Sequence, residues 1–503
     1  MTEAPIRKVL IVGGGTAGWM AACALNQALR HTGTRVEVVE SEDIGTVGVG
    51  EATVPTIRDF NRDIGIDEPT FLKATQGTFK LGIQFCDWRE RGTDFFHGFG
   101  DYVVNTGPFS TLNHWLVCRD RDAQAAGRLE NYHMAAVLAE HARFTAPGPD
   151  PRSPLHYFAY AYHFDAGLYA RLLRDKAERE GVVRHEGRIQ QVTLDPETGF
   201  IRHVTLADGR VIEADLFIDC SGFSALLARG ALDGPWLDYS HWLPVDRAWA
   251  VRAESVGPLL PYTRATALEA GWTWRIPLQS RTGHGYVFSS AFTDEDTARQ
   301  RLLQTLEGPA QAEPRLLRFK TGRLERFWDK NCVAIGLASG FVEPLESTSI
   351  SLIQGGVTRL ISLIPNQGFN QRLAREYNRV QALEFDRIRD FIIMHYALTQ
   401  RDDTPFWRHM REMALPDTLL DKIETFRETA TVPLINEETF VTASWQSLFI
   451  GLGLLPRRLD PLMSAQPAGE AMDALQMRRT AMARAAQTAP MHTDYIDRII
   501  KGA

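Results

Sequence analysis

The sequence predicts an α/β fold with a mixed or parallel sheet, and two observations predict it. The first is a βαβ unit at the start of the chain. The second is a pair of late strand–turn segments, residues 216–222 and 333–336, whose apolar runs return to the same sheet.

The elements follow in order. Residues 7–12 (Arg-Lys-Val-Leu-Ile-Val) read as a buried strand, residues 19–30 as an Ala-rich helix, and residues 36–40 as a second strand ending in Glu40. The loop inside this unit is Gly13-Gly14-Gly15-Thr16-Ala17-Gly18, a GxGxxG at Gly13, Gly15 and Gly18. Such a loop turns backbone N–H groups, those of Thr16 and Ala17 included, and a helix dipole toward a pyrophosphate. Glu40 stands where a ribose hydroxyl needs an acceptor. A compact NAD domain finishes within about the first 150 residues. The late returns of strand instead fit the FAD-binding, Rossmann-like box of flavin monooxygenase-type folds. No second strand-linked GxGxxG is present, which is compatible with an enzyme that receives its flavin already reduced.

Residues 60–150 mix aromatics with few clean periods. Residues 168–180 read as a helix. Turn signals at Glu197-Thr198-Gly199 and Asp208-Gly209 mark short strands and a hairpin. Residues 245–330 alternate strand-like runs with loops, and residues 332–337 form another buried strand. From about Asn370 the chain turns helical, over 372–394, 416–428 and 470–485. The organisation expected is a βαβ start over 1–60, a substrate-side insertion over 61–150, the rest of the flavin box and a substrate sheet over 151–370, and a C-terminal helical region over 371–503. The substrate side is expected to be largely helical. The segment 472–500 reads as a packed helix pair or a partner surface.

Composition narrows the class. The chain has 503 residues, 44% hydrophobic and 23% charged, as in an ordinary globular enzyme. Its net charge of −7 is spread without blocks of one sign, so neither nucleic acid nor lipid is indicated as a partner. No apolar run is long enough to span a membrane. No signal peptide fits before the first strand, so the compartment expected is the cytoplasm. Cys23, Cys86, Cys118, Cys220 and Cys332 are scattered and odd in number, so they read as buried free thiols with no metal site.

Four stretches carry candidate chemistry. Trp272 and Trp274, in Gly-Trp-Thr-Trp-Arg-Ile-Pro-Leu, share one strand face and by themselves form a packing wall. Lys80 lies in an apolar run, Gly77-Thr78-Phe79-Lys80-Leu81-Gly82, where a lysine either snorkels or is placed for chemistry. Residues 343–349 (Glu-Pro-Leu-Glu-Ser-Thr-Ser) set two acids and three hydroxyls after a buried strand, as at a helix start beside an anion. Gly48-Val49-Gly50-Glu51-Ala52-Thr53 follows soon after Glu40, and its glycines permit close approach to a planar cofactor.

Together these residues resemble the flavin-dependent halogenases of the tryptophan halogenase family. The resemblance runs from about residue 7 to about residue 460. It rests on the GxGxxG loop, residues 48–53, Lys80, His97-Gly98-Phe99-Gly100, Trp272-x-Trp274-x-Ile276-Pro277 and Glu343-Pro344-Leu345-Glu346-Ser347-Thr348. The Trp-x-Trp-x-Ile-Pro stretch is the diagnostic one.

The resemblance implies the use of reduced FAD (FADH2), O2 and a halide ion, chloride or bromide, to make hypohalous acid, which passes along a tunnel to the organic substrate. Lys80 and Glu346 are then the catalytic pair. Lys80 holds the electrophile as ammonium or as a haloamine, and Glu346 polarises it or takes the ring proton. Gly13, Gly15, Thr16, Ala17, Gly18, Glu40, Gly50, Glu51, Ala52 and Ser347 face the cofactor. Thr348 and Ser349 contact the halide. Trp272, Trp274, Ile276 and Pro277 wall the tunnel, and His97, Phe99 and Phe440 line the substrate pocket. A separate flavin reductase supplies FADH2, and a homodimer is a family habit. The other readings are a flavin-dependent aromatic hydroxylase and a binding protein that keeps the fold without turnover.

The sequence departs from the tryptophan-specific pattern in two places. Ser349 stands where those enzymes usually have glycine. Residues 425–450 lack the Tyr pair that grips tryptophan, and Glu437 and Glu438 are out of register for its acid. Phe440 either supplies a ring wall or, with Trp445, is core. The implied substrate is an electron-rich aromatic such as indole.

Overall fold

The structure is a computed structural model. It describes residues 4–43, 50–102, 110–459 and 461–502. Gly48 and Val49 of the glycine-rich stretch lie outside the described residues. The chain divides into two compact units, each assembled from three stretches of sequence: Met1–Gln76, Phe164–Pro244 and Arg318–Arg387 in the first, Gly77–His163, Val245–Leu317 and Ile388–Ala503 in the second.

The first unit is built on a six-stranded sheet. Its order is Trp328–Asp329, Cys332–Ala334, Leu216–Asp219, Lys8–Val12, Arg35–Glu40 and Val183–Glu186. All neighbours are parallel except the edge strand Trp328–Asp329. Lys8–Val12 sits in the middle because its side chains are apolar on both faces, and Val9, Leu10 and Ile11 have no exposed surface. Both late strands pair into this sheet, as the sequence required. The helices Thr16–Leu29 and Ala166–Arg179 match the expected ones to within a few residues. Both expected turns close strands, at residues 195–199 and 207–209.

The second unit has a seven-stranded sheet. Six of its strands run in the order Arg247–Ala253, Thr282–Phe288, Gly271–Pro277, Thr263–Leu268, Gly82–Cys86 and Asp94–Gly98. Their pairing is antiparallel except between Thr263–Leu268 and Gly82–Cys86. Helices supply the rest, among them Thr111–Arg121, Thr442–Gly451, Ala468–Thr488 and His492–Lys501. Every residue of Gly271–Pro277 is buried, because this strand is central and covered on both faces.

Two expectations are corrected. Residues 245–330 contain a helix, Glu295–Gln304, capped by the Asp294 carboxylate on the Thr297 N–H. Its apolar positions are sparse, with only Ala298 and Leu302 buried, so the periodic signal is faint. Of the five thiols, Cys86 is half-buried, because it lies near the end of a strand beside Asp87; the other four are buried. Among the described residues no helix is long and apolar enough to cross a membrane.

Candidate functional site

In the first unit the glycine loop is shaped by contact. A Cβ on Gly13 would fall 2.3 Å from the Cys220 carbonyl oxygen, and one on Gly18 would fall 1.8 Å from that of Gly13. Gly13 also has φ +109°, a region that favours glycine. These two positions allow the strand, the turn and the helix to touch backbone to backbone. Gly15 differs, because a Cβ there would meet nothing within 4 Å. It stands at the N-cap of Thr16–Leu29 and supplies no side-chain cap. The first N–H groups of that helix, those of Thr16 and Ala17 among them, therefore have no side-chain acceptor and present a partial positive charge. An open approach to an uncapped helix start fits the pyrophosphate of a dinucleotide.

The Glu40 carboxylate folds over the same loop. A Cβ on Gly14 would lie 1.4 Å from Glu40 Oε2, so residue 14 must be glycine for this placement. Arg184 Nε donates to Glu40 Oε1 at 2.6 Å and holds the carboxylate there. Behind the loop, the buried Asp219 carboxylate accepts from the N–H groups of Ser221, Leu227 and Ala228 and from the Ser221 hydroxyl. It fixes the turn that follows the strand next to Lys8–Val12. Glu51 lies in the strand Gly50–Ala52, half-buried, between buried Gly50 and Ala52. Burial, with a smaller contribution from the Asp165 charge, pushes its carboxyl up to about 7.

Residues 343–349 also lie in the first unit. Glu343 and Glu346 have no exposed surface. Pro344–Glu346 is a single 3-10 turn, and Ser347 takes the left-handed conformation with φ +61°. The helix Ser349–Ser362 then begins with no side-chain cap from Thr348. The Thr348 hydroxyl is buried without a hydrogen-bond partner among the described residues. Ser349 is half-buried at the first position of the helix. An uncapped helix start beside an unsatisfied hydroxyl suits a small anion.

The second unit gathers the aromatic candidates and Lys80. Lys80 has no exposed surface, so it does not snorkel to water. Its ammonium nitrogen lies 4.9 Å from the centre of the Phe99 ring, a cation–π distance. Phe99 meets His97 edge-on at 6.1 Å. His97 in turn is 6.3 Å from Phe440 and 5.9 Å from Phe391. Phe440 stacks on Phe391 at 3.7 Å, and Trp445 meets Phe391 edge-on at 4.8 Å. Lys80, Phe99, His97 and Phe440 thus form one continuous run of contacts, assembled from three separated parts of the sequence.

Trp272 and Trp274 do share a face, with ring centres 6.2 Å apart. Trp88 backs Trp272 at 6.3 Å. Trp274 covers Gly285 on the paired strand Thr282–Phe288. Ile276 and Pro277 complete the buried strand, and the Pro277 carbonyl accepts the Thr78 hydroxyl proton at 2.8 Å. Thr78, which opens the short strand carrying Lys80, and His163 and His492, which hydrogen-bond to that strand, were not found from sequence. Their side chains are common in cores and they obey no recognisable spacing.

The sheet of mostly parallel strands, the glycine loop with its open helix start, and the carboxylate set over Gly14 define a dinucleotide-binding α/β protein. Comparison with known proteins makes this specific. The tryptophan halogenase family profile matches residues 8–468. The chain is 37% identical over 493 residues to the tryptophan 6-halogenase SttH of Streptomyces toxytricini, covering 92% of each. It is 44% identical to the flavin-dependent halogenase BrvH of Brevundimonas sp. BAL3, with a TM-score of 0.94 over 98% of this chain and 99% of that one. Xcc4156, a flavin-dependent halogenase of Xanthomonas campestris, is equally similar at 44% and 0.94, over 98% of both chains. The chain belongs to the tryptophan halogenase family. It is a flavin-dependent halogenase that uses FADH2, O2 and halide and depends on a separate flavin reductase; aromatic hydroxylation is not favoured.

Proposed function

We propose that this halogenase acts on an electron-rich small aromatic, an indole without the amino-acid group, with Lys80 and Glu346 as its catalytic residues. The observation that carries the reading is the complete burial of Lys80 against Phe99, in contact with the His97–Phe440 wall. An ammonium kept from water is costly, and functional sites are where such groups gather.

When bound, reduced FAD with O2 supplies the two-electron oxidation that converts halide to hypohalous acid. The chain's own residues do the rest. Gly13, Gly15, Thr16, Ala17 and Gly18 receive the pyrophosphate, Glu40 accepts from a ribose hydroxyl, and Gly50, Glu51, Ala52 and Ser347 border the ring system. Thr348 and Ser349 hold the halide with a hydroxyl and helix N–H groups. Trp272 and Trp274, with Ile276 and Pro277, exclude water and bulky aromatics from the oxidising step. Lys80 donates its ammonium proton to the oxygen of hypohalous acid, so that oxygen leaves as water when a ring carbon takes the halogen. Glu346 stabilises the cationic ring and takes its proton. His97, Phe99 and Phe440 hold the ring in place.

The substrate assignment rests on residues 425–450, which carry no tyrosine pair. The test is turnover with FAD, a generic flavin reductase, NADH, O2 and chloride or bromide, over a panel of indoles and free tryptophan. Mass spectrometry should show halogenated indole. Halogenation of tryptophan with none of indole would overturn the substrate, and a product gaining only oxygen would overturn the reaction.

A further inference from the structure

The strand that carries Lys80 is three residues long, Thr78–Lys80. Each of the two residues before the lysine is held by a different buried histidine. Thr78 Oγ1 gives its one proton to the Pro277 carbonyl at 2.8 Å. Its oxygen must then accept from His163 Nδ1 at 3.1 Å, and His163 Nε2 accepts the Thr263 hydroxyl proton at 2.9 Å. His163 is thereby the neutral Nδ1–H tautomer, inserted between the lysine strand, the strand Thr263–Leu268 and the end of the tryptophan strand. The backbone N–H of Phe79 donates to His492 Nε2 at 3.1 Å, so His492 also keeps its proton on Nδ1, which donates to the Leu259 carbonyl at 2.9 Å. His492 opens the C-terminal helix His492–Lys501 and is fully buried, as is His163. The Phe79 ring is fixed as well, stacked on Phe144 at 3.9 Å and met edge-on by Tyr495 from the same helix.

We propose that His163 and His492 are positioning residues, two neutral acceptor–donor clamps that set Lys80 in register with the Trp272–Pro277 strand. The C-terminal helix is accordingly part of the catalytic apparatus, since it delivers His492. This rests on the reading of Lys80 given above. The strand's own ladder is only three residues long, Thr78, Phe79 and Lys80 against His163, Tyr162 and Ala161. Without the clamps so short a ladder would let the lysine move by a fraction of an ångström, and the electrophile it holds would escape before meeting the ring.

The test uses the full chain with FAD, flavin reductase, NADH, O2, bromide and indole, plus a dissolved 1,3-dione that traps free hypobromous acid. His492→Phe keeps an aromatic ring but removes the acceptor, and His492→Gln restores an acceptor near Nε2. Thr78→Val and Thr78→Ser do the same for the other clamp. The expected result is that His492→Phe and Thr78→Val lower bromoindole kcat about tenfold to a hundredfold with KM little changed. Trapped hypobromous acid should rise to match, and His492→Gln and Thr78→Ser should recover most of the coupling. A loss of packing alone would not move that partition. Lys80→Ala is run alongside. If Lys80→Ala is inactive but both clamp variants couple like the parent, the clamps are overturned while the lysine reading stands. If Lys80→Ala halogenates normally, both are overturned. Should His492→Phe fail to fold, the Thr78 pair decides.

Discussion

The indole of Trp274 lies over Gly285, and a Cβ at residue 285 would fall 2.0 Å from its Cζ2. The two residues face each other across paired strands, so the bare backbone at 285 is what lets this indole lie flat. Gly285→Ala should therefore tilt the ring. We expect a loss of about 1–3 kcal/mol by urea denaturation, the usual range for overpacking a core. Tryptophan emission should shift as well, and the uncoupled consumption of NADH should increase. A variant with unchanged stability and emission would show that the strand relaxes freely there.

Lys80→Met should separate stability from function. The replacement keeps an unbranched chain against Phe99 and removes a charge that has no access to water. Methionine fills the same space while the ammonium's own contacts are lost, so some stability is given up. FAD binding should persist, and halogenated product should disappear. A fall of several degrees together with lost FAD binding would mark Lys80 as structural.

Glu51 predicts a pH dependence. Burial pushes its carboxyl from the ordinary glutamate value of 4.5 up to about 7. The folded protein therefore holds this proton while the unfolded chain releases it. Stability is lost as pH rises from about 4.5 through 7, and the loss is complete above 7. Glutamine mimics the protonated acid. Glu51→Gln should be close to neutral near pH 4.5 and stabilising by about 3 kcal/mol at pH 8, at 1.36 kcal/mol per pH unit. Urea midpoints of both proteins across this range check it. An advantage of glutamine that shrinks with rising pH would refute the assignment.

Lys422 and Glu438 form a buried ion pair whose side chains are only 3% and 5% exposed, and the Lys422 ammonium lies 4.2 Å from the Trp445 ring centre. Lys422→Met alone would leave the glutamate charge buried without its counterion, at a cost of about 3–5 kcal/mol. The double change Lys422→Met with Glu438→Leu should recover most of that loss. A double variant that costs the sum of the two single variants, measured in one double-mutant cycle, would show that the pair is not coupled.

The local parts of this protein were legible. Gly13 and Gly18 marked the strand–turn–helix of the first unit, because close backbone contact there tolerates few other residues. The alternation of Trp272 and Trp274 gave their shared face, because strand side chains repeat every two residues. The helix Glu295–Gln304 was missed because it buries two small stretches of apolar surface and is otherwise polar. Phe440 was undecided between wall and core. Its stack on Phe391 and contact with His97 make it a buried member of the aromatic run that reaches Lys80.

By itself the sequence determined the glycine-rich turn, the family and the candidate lysine, since each motif is written in residues close together in the chain. Only the tertiary structure decided that Lys80 is fully buried rather than snorkelling, and what holds its strand in place. Phe79 and His492 are 413 residues apart, and no local spacing records their hydrogen bond. Such a contact exists only because burial of the surrounding aromatic side chains brings distant strands and the last helix together, and a backbone N–H enclosed there must find an acceptor.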